Sequence, residues 1–395
     1  MSHFDRQTWL FFVINALACI GLNIGVVGVN WFIIEATRQN MMLGLYSALS
    51  LLSAFLMLVF GGELTDRYAK MRILRFCCMG QAVLFFVTAA CVHSGMPALW
   101  IIIGLAVLNM PLMVLFSTAS RGAVAFVWPT EKLNRGNAVL EVTLQIGAMC
   151  AALLTGFLYH RWGFEWLMVL GGILTLAAGL VLLWPHPWPD ALPAERKNYW
   201  QELRGGVVYL CQHRRCAWYG LAAFIPTILI FVSNTVVTGF VQQVVGKNAL
   251  VYGVGEVCFA LGALLAGMAG GRLLNSNKPQ RAYYLLGGLI AALGWLMYNR
   301  STGIFFVLIF VAGVLLSGLR IGLNTLFMKN TEPSFIGRCL SLLMAVAMVL
   351  QALFSLAAGH LMDLCGAPSG YWVLIGLALC GGGFLWLGGK TQPEK

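Results

Sequence analysis

Charged side chains are scarce in this sequence of 395 residues, where Asp, Glu, Lys and Arg together make up only 10%. Soluble domains carry about a quarter charged residues, so this composition excludes a water-exposed globule. Acidic residues are rarer than basic ones, with 14 Asp and Glu against 25 Lys and Arg. Hydrophobic residues make up 60% of the chain. The composition therefore predicts an integral membrane protein.

Sequence motifs of catalysis and metal binding are missing as well. The six histidines include no pair four residues apart, and neither H-E-x-x-H nor G-x-S-x-G occurs. Gly389-Lys390-Thr391 resembles the end of a phosphate-binding loop, but Phe384 stands where the first glycine would be needed. The 11 cysteines are scattered and imply no disulfide framework. We expect no enzymatic activity, no cofactor and no metal.

Long intervals without charge predict the membrane-spanning segments. There are 28 uncharged residues between Arg6 and Glu35, and 45 between Arg75 and Arg121 with a turn near 93–97. A spanning helix needs about 20 apolar residues. A closed β-barrel is the alternative, but the runs lack alternating polarity and are twice the length of a barrel strand. The sequence predicts twelve spanning helices, near 9–34, 41–62, 73–92, 98–120, 138–159, 164–184, 218–244, 250–271, 282–298, 303–326, 339–361 and 371–389.

The positions of Lys and Arg predict how the helices are oriented. If the N-terminus is inside, 20 of the 25 basic residues fall in loops and tails on that side. Cytoplasmic loops retain positive charge during insertion. We therefore expect a multi-pass protein of a bacterial-type inner (plasma) membrane with both termini cytoplasmic. The net charge of +11 is explained by this topology, so nucleic acid is not expected as a partner.

The chain is predicted to consist of two six-helix halves joined by a linker. Prolines end the sixth helix, and a basic amphipathic segment follows, which predicts an N-terminal bundle at 1–184, a cytoplasmic linker with an amphipathic helix at 185–217, and a C-terminal bundle at 218–395. The halves share short motifs: Gly61-Gly62-Glu63-Leu64 matches Gly270-Gly271-Arg272-Leu273 at an offset of 209. Repeated halves are typical of transporters, whose site lies where the repeats meet.

The loop after the second helix carries a more specific signal. Its sequence from 62 to 72, GELTDRYAKMR, resembles the loop signature of the major facilitator superfamily, from which it departs at Ala69 and Met71. Segments such as 31–44 and 121–138 are similar to the branch with macrolide efflux proteins and enterobactin-type siderophore exporters. The resemblance extends over nearly the whole chain. It implies an all-α membrane protein with two pseudo-symmetric six-helix bundles.

The resemblance also implies an inner gate at this loop. A carboxylate at Asp66 can accept hydrogen bonds from a helix N-terminus or a guanidinium, and breaking such contacts would open the gate. Alternatively, Asp66 and Arg67 merely cap the turn and fix the topology. The candidate gate residues are Gly62, Asp66, Arg67, Lys70 and Arg121.

Charged residues inside predicted spans are costly and are therefore functional candidates. Glu141 lies about one turn from the inner boundary, where it can pair with Arg67, Lys70 or Arg121 as a latch, or carry protons. Glu256 lies deeper, where burial favours the protonated carboxyl. It is the leading proton or substrate-cation site, the alternatives being a buried hydrogen-bonded structural acid and an acid that reaches the outer water. Arg320 is a candidate clamp for an anionic group, unless it snorkels to water.

Polar stripes on four helices predict which faces line a substrate cavity. On helix 1, three asparagines share one face and the glycines lie opposite. Ordinary interhelical hydrogen bonding is the alternative for each stripe. The candidate cavity residues are Asn15, Asn23, Asn30, Asn234, Thr238, Gln242, Arg320, Asn324, Met348 and Gln351.

Together these features predict a secondary active transporter, most simply a proton-driven exporter of a small amphipathic molecule such as a siderophore or a macrolide-like drug. The alternatives are an uptake carrier for a siderophore, a lysolipid flippase, and more remotely a non-transporting receptor. The fifth helix lacks the proline of the superfamily's antiporter motif, which leaves proton antiport without support from that motif. Expected partners are the small-molecule substrate, protons and membrane lipid, with the chain acting as a monomer.

Overall fold

The structure is a computed structural model that describes residues 3–95, 99–128, 133–183, 199–245, 248–269, 280–332 and 335–390. The described residues are almost entirely helical. The helices are α1 (His3–Thr37), α2 (Asn40–Arg67), α3 (Lys70–His93), α4 (Leu99–Val127), α5 (Leu133–Val181), α6 (Tyr199–Gln212), α7 (Arg214–Phe240), α8 (Ala249–Ala269), α9 (Gln280–Tyr298), α10 (Thr302–Lys329), α11 (Ile336–Cys365) and α12 (Gly370–Lys390). One π-helical turn, Val241–Val245, extends α7.

The helices reproduce the twelve predicted membrane crossings. Within the described residues, ten helices are long and apolar enough to cross a membrane. One of them, α5, holds two predicted crossings, because Gly163 (φ 85°, ψ 179°) breaks the helix between them. Helix α9, with 19 residues, lies at the predicted crossing 282–298, while α6 is the linker helix. The prediction of an all-α membrane protein with twelve spanning helices is confirmed.

The first of two compact units comprises Met1–Ala36, Leu52–Arg196 and Asn248–Gly253. Its core is an apolar cluster from α1, α3, α4 and α5, in which Phe11 meets Trp128 edge-to-face at 5.3 Å between ring centroids. Helices α1 and α5 approach closely through Gly21, where an added Cβ would lie 2.7 Å from Thr175. The glycines of helix 1, which lie opposite its asparagines, thus face neighbouring helices at close range: an added Cβ at Gly25 would lie 2.5 Å from Phe85 and one at Gly28 2.6 Å from Leu167.

The second unit comprises Thr37–Leu51, Lys197–Lys247 and Val254–Lys395. Helix α7 packs on α10, α11 and α12 and is the most deeply buried of the candidate spanning helices. The linker helix α6 packs on the start of α11, where Tyr209 stacks on Phe335 at 4.5 Å and Gly206 leaves room for the carbonyl of Arg338. The predicted boundaries of the two bundles and the linker, at 184 and 217, stay a prediction.

Candidate functional site

The second unit contains a cavity of about 240 Å³ enclosed by α7, α8, α9, α10 and α12. Its walls are mainly Leu, Ile, Val and Phe, and its polar groups come from three of the five helices. The lining residues are Leu229, Ile230, Ser233, Asn234, Val237, Glu256, Phe259, Leu293, Leu296, Ile309, Ala312, Leu316, Tyr371 and Leu374.

Two of the predicted site residues meet in this cavity. Glu256 of α8 and Asn234 of α7 both line it and both are half-buried, together with Ser233. An ionised carboxylate among apolar walls is costly unless a proton or a cation accompanies it. The arrangement therefore suits a group that exchanges a proton or binds a cation.

Tyr371 is a residue of this cavity that the sequence did not reveal. Its side chain is completely buried, and its hydroxyl has no hydrogen-bond partner among the described residues. The ring meets Phe240 edge-to-face at 5.1 Å, which fixes its orientation. A buried hydroxyl without a partner costs about 1–3 kcal/mol, so a bound group or water is expected to satisfy it.

Close helix packing holds Glu256 in place. An added Cβ at Gly262 of α8 would lie 2.2 Å from the carbonyl oxygen of Phe310, and one at Gly313 of α10 would lie 2.3 Å from that of Phe259. The two backbones therefore touch where these glycines face each other. Small residues permit such an approach between membrane helices. This contact lies one to two helical turns along α8 from Glu256, and it sets the distance between α8 and α10 there.

The remaining predicted cavity residues of the second unit do not line this cavity. Thr238 is fully buried and donates to the carbonyl of Asn234, while Gln351 donates to the carbonyl of Thr227 at 3.4 Å. Arg320 is exposed, which is consistent with the snorkelling alternative. The others, all half-buried, are Gln242, Asn324 and Met348.

The three asparagines of α1 differ in their surroundings. Asn15 is fully buried and donates to the carbonyl of Phe11 at 2.9 Å, and Asn30 is 6% exposed. Asn23 is half-buried and donates to the carbonyl of Cys19 at 2.8 Å. Asn15 and Asn30 thus do not face water in this structure, because neighbouring helices cover them. Their role in substrate binding stays a prediction.

Part of the predicted gate is visible in the first unit. Arg121 donates to Glu141, and both side chains are more than half exposed. Lys70 lies over Gly122, with its Cε 3.3 Å from where a Cβ would be. Arg121 is one of the three cations predicted as possible partners of Glu141, and the described contacts include this pair. The surroundings of Gly62 and the side chains of Asp66 and Arg67 are outside what the structure describes.

A second contact that the sequence did not reveal joins α2 and α11 within the second unit. The carboxylate of Asp363 accepts hydrogen bonds from the backbone N–H of Asn40 at 2.7 Å and of Met41 at 2.8 Å, and from the Asn40 amide at 2.9 Å. It therefore caps the N-terminus of α2. Asp363 lies two residues beyond the predicted span 339–361, where a charged residue is not costly, so its position in the sequence does not single it out.

Ten helices of the described residues that are long and apolar enough to cross a membrane, together with a cavity that has a carboxylate in an apolar wall, are the features of a multi-pass membrane transporter. A family model described as Major Facilitator Superfamily matches residues 10–274. The chain belongs to this superfamily, whose members are secondary transporters of small molecules and not enzymes. The resemblance seen in the 62–72 loop is thereby confirmed at the level of the superfamily.

A curated relative and several solved structures are similar to the chain. The Staphyloferrin A transporter of Staphylococcus aureus is 24% identical over 352 residues, which cover 86% of this chain and 85% of the relative. A mutant of the nucleoside transporter NupG superposes with a TM-score of 0.80 at 11% identity, covering 97% of this chain and 100% of that one. A D-xylose–proton symporter gives 0.71 at 16% identity, covering 98% of both chains. The structures show the fold alone.

Proposed function

We propose that the chain is a proton-driven exporter of a small amphipathic organic molecule, such as a siderophore or a macrolide-like drug. The observation that carries the proposal is Glu256, a carboxyl group on a membrane helix that lines an otherwise largely apolar cavity. Burial of a carboxyl group among apolar side chains favours its protonated form over its ionised form. Protonation and deprotonation of Glu256 would therefore couple the proton gradient to transport.

The similarity to the Staphyloferrin A transporter supports a siderophore-type substrate. The distribution of Lys and Arg supports an inner (plasma) membrane location with both termini cytoplasmic. In this proposal the protein acts as a monomer, and its bundles 1–184 and 218–395 move relative to each other during transport. The pair Arg121–Glu141, with the 62–72 loop, acts as a latch of the inner gate.

A flux assay in liposomes tests the proposal. The purified chain is reconstituted, a pH jump is applied, and uptake or release is followed for staphyloferrin A, a catecholate siderophore, a macrolide and a lysolipid. We expect Glu256→Gln to abolish proton-driven flux while substrate binding persists, because the amide cannot exchange a proton. Glu141→Gln should keep the dependence on the pH gradient, since its carboxyl pairs with an exposed Arg121 and carries no transported proton.

The outcomes separate the remaining alternatives. Flux in the opposite direction under the same gradient would indicate an uptake carrier, and flux of the lysolipid alone would indicate a flippase. Unchanged proton-driven flux in Glu256→Gln would remove this residue from the coupling mechanism. No flux of any compound under either gradient would favour a receptor.

A further inference from the structure

We infer that a groove on the first unit is a lipid site: it binds a phospholipid of net negative charge, with the phosphate at Arg72 and Tyr68 and an acyl chain along Phe76. The groove has a volume of about 320 Å³ and is lined by Tyr68, Arg72, Ile73, Phe76 and Leu115. The inference goes beyond the proposed function and does not depend on it.

The groove has a polar end and an apolar end at the depths that a phospholipid requires. Helix α3 has 24 residues and is one of the candidate membrane spans. At 1.5 Å per residue it is about 36 Å long, against a hydrocarbon core of about 30 Å. The first turn of α3 therefore reaches the headgroup region. Arg72 lies in this turn, Tyr68 precedes the helix, and Phe76 follows about one turn deeper.

Arg72 is the cation that this groove presents to a ligand. Two other basic residues at the start of α3 are directed elsewhere, since Lys70 lies over Gly122 and Arg75 donates to the carbonyl of Leu182 at 2.7 Å. Arg72 is exposed and lines the groove. It also takes part in another interaction, but a guanidinium has five N–H donors. It can therefore hold a phosphate oxygen in addition.

The apolar part of the groove favours a lipid over a soluble anion. Ile73 and Leu115 are buried, whereas Phe76 is 64% exposed. Val83 and Val87 follow Phe76 at spacings of seven and four residues, so they continue its face of the helix, and both are exposed. An acyl chain that leaves the groove meets hydrocarbon along this face. A soluble phosphate would make no use of these side chains.

The charge at the start of α3 favours an anionic lipid over a zwitterionic one. The first six residues of the helix include Lys70, Arg72 and Arg75, and its first turn contains no acidic residue. Basic residues beside the headgroups attract lipids of net negative charge. In a zwitterionic lipid, a cationic group cancels the charge of the phosphate. We therefore expect selectivity for net charge as well as binding.

Native mass spectrometry of the purified full-length chain in mild detergent tests the inference. The chain is titrated with palmitoyl-oleoyl phosphatidylglycerol and, as the matched zwitterionic probe, with phosphatidylcholine that has the same acyl chains. We expect the first phosphatidylglycerol to bind at least about fivefold more tightly than phosphatidylcholine, the factor that corresponds to the attraction of one basic residue for anionic lipid. Equal affinity for the two lipids would overturn the inference.

Variants then assign the site. Arg72→Gln should abolish the preference for phosphatidylglycerol, because it removes the charge from the groove. Phe76→Ala should weaken the binding of both lipids about threefold through loss of apolar contact. The matched controls are Arg300→Gln and Phe157→Ala, which are exposed, lie outside the groove and should bind like wild type. Thermal unfolding of each variant checks that it folds. A folded Arg72→Gln variant with wild-type selectivity would overturn the inference.

The same spectra distinguish the other possible occupants of the groove by mass. A dimer of the chain that Phe76→Ala dissociates would show that a second copy covers the groove, and would overturn the inference. Glycerophosphoglycerol, the headgroup of phosphatidylglycerol without its acyl chains, is the soluble probe. We expect it to bind far more weakly than the lipid, since the apolar contacts are lost. Binding of this probe as tight as that of the lipid would indicate a site for soluble anions and overturn the inference.

Discussion

Asp363 illustrates how one carboxylate at the end of a helix fixes the start of another. Its two oxygens accept three hydrogen bonds from the first turn of α2, where four backbone N–H groups lack partners within the helix. The negative charge also meets the positive end of the helix dipole. Helix α11 thereby holds α2 in position through polar contacts as well as through packing.

Replacing this carboxylate should measure its contribution. We expect Asp363→Ala to lower the free energy of unfolding by about 1 kcal/mol, as for the loss of other N-caps. Asp363→Asn should lose less, since its amide oxygen still accepts one or two of the hydrogen bonds. Chemical denaturation in mild detergent gives the three values. Wild-type stability of Asp363→Ala would show that water replaces the carboxylate without cost.

Helix packing in the second unit depends on glycines at particular places. Gly262 of α8 faces the backbone of α10, with the Phe310 carbonyl oxygen 2.2 Å from the position of an added Cβ. Gly267 of the same helix has nothing within 4 Å of that position. Within α8, Gly262 thus permits close packing against α10, whereas Gly267 makes no such contact.

These two glycines provide a matched pair of variants. We expect Gly262→Ala to destabilise the protein by about 1–3 kcal/mol, because the extra methyl group forces α8 and α10 apart. Gly267→Ala should be neutral or stabilise by up to about 1 kcal/mol through helix propensity. The free energy of unfolding in mild detergent compares them. Similar values for the two variants would contradict the close contact between α8 and α10.

For the whole molecule, local features of the sequence predicted the membrane topology and part of the site. Long apolar intervals with few or no charged residues predicted the twelve crossings, since the cost of burying charge in lipid acts on each segment separately. Glu256 was predicted as a site residue for the same reason, and Asn234 because it belongs to a polar stripe on one helix face. Tyr371 and Asp363 were missed because their roles depend on helices distant in the chain. In the sequence Tyr371 is an ordinary aromatic residue of an apolar span, and only the structure shows that its buried hydroxyl has no hydrogen-bond partner among the described residues.

The burial of Asn15 likewise could not be predicted from the sequence. The shared face of the three asparagines on α1 was predicted from the helix period, but whether that face meets water depends on which helices cover it. The break between the two crossings of α5 was also predicted as a loop, whereas a single residue, Gly163, provides it. The helix period therefore predicts which residues share a face, whereas tertiary packing decides whether that face meets water or another helix.

The proposed coupling depends on one carboxyl group that exchanges protons as substrate binds, and proton release measures this directly. The substrate identified by the flux assay is added to purified protein in weakly buffered nanodiscs containing a pH indicator. We predict release of about one proton per chain from wild type near the pH at which Glu256 is protonated, and none from Glu256→Gln. Equal release from the two proteins, or none from wild type at any pH between 5 and 8, would contradict the proposed coupling.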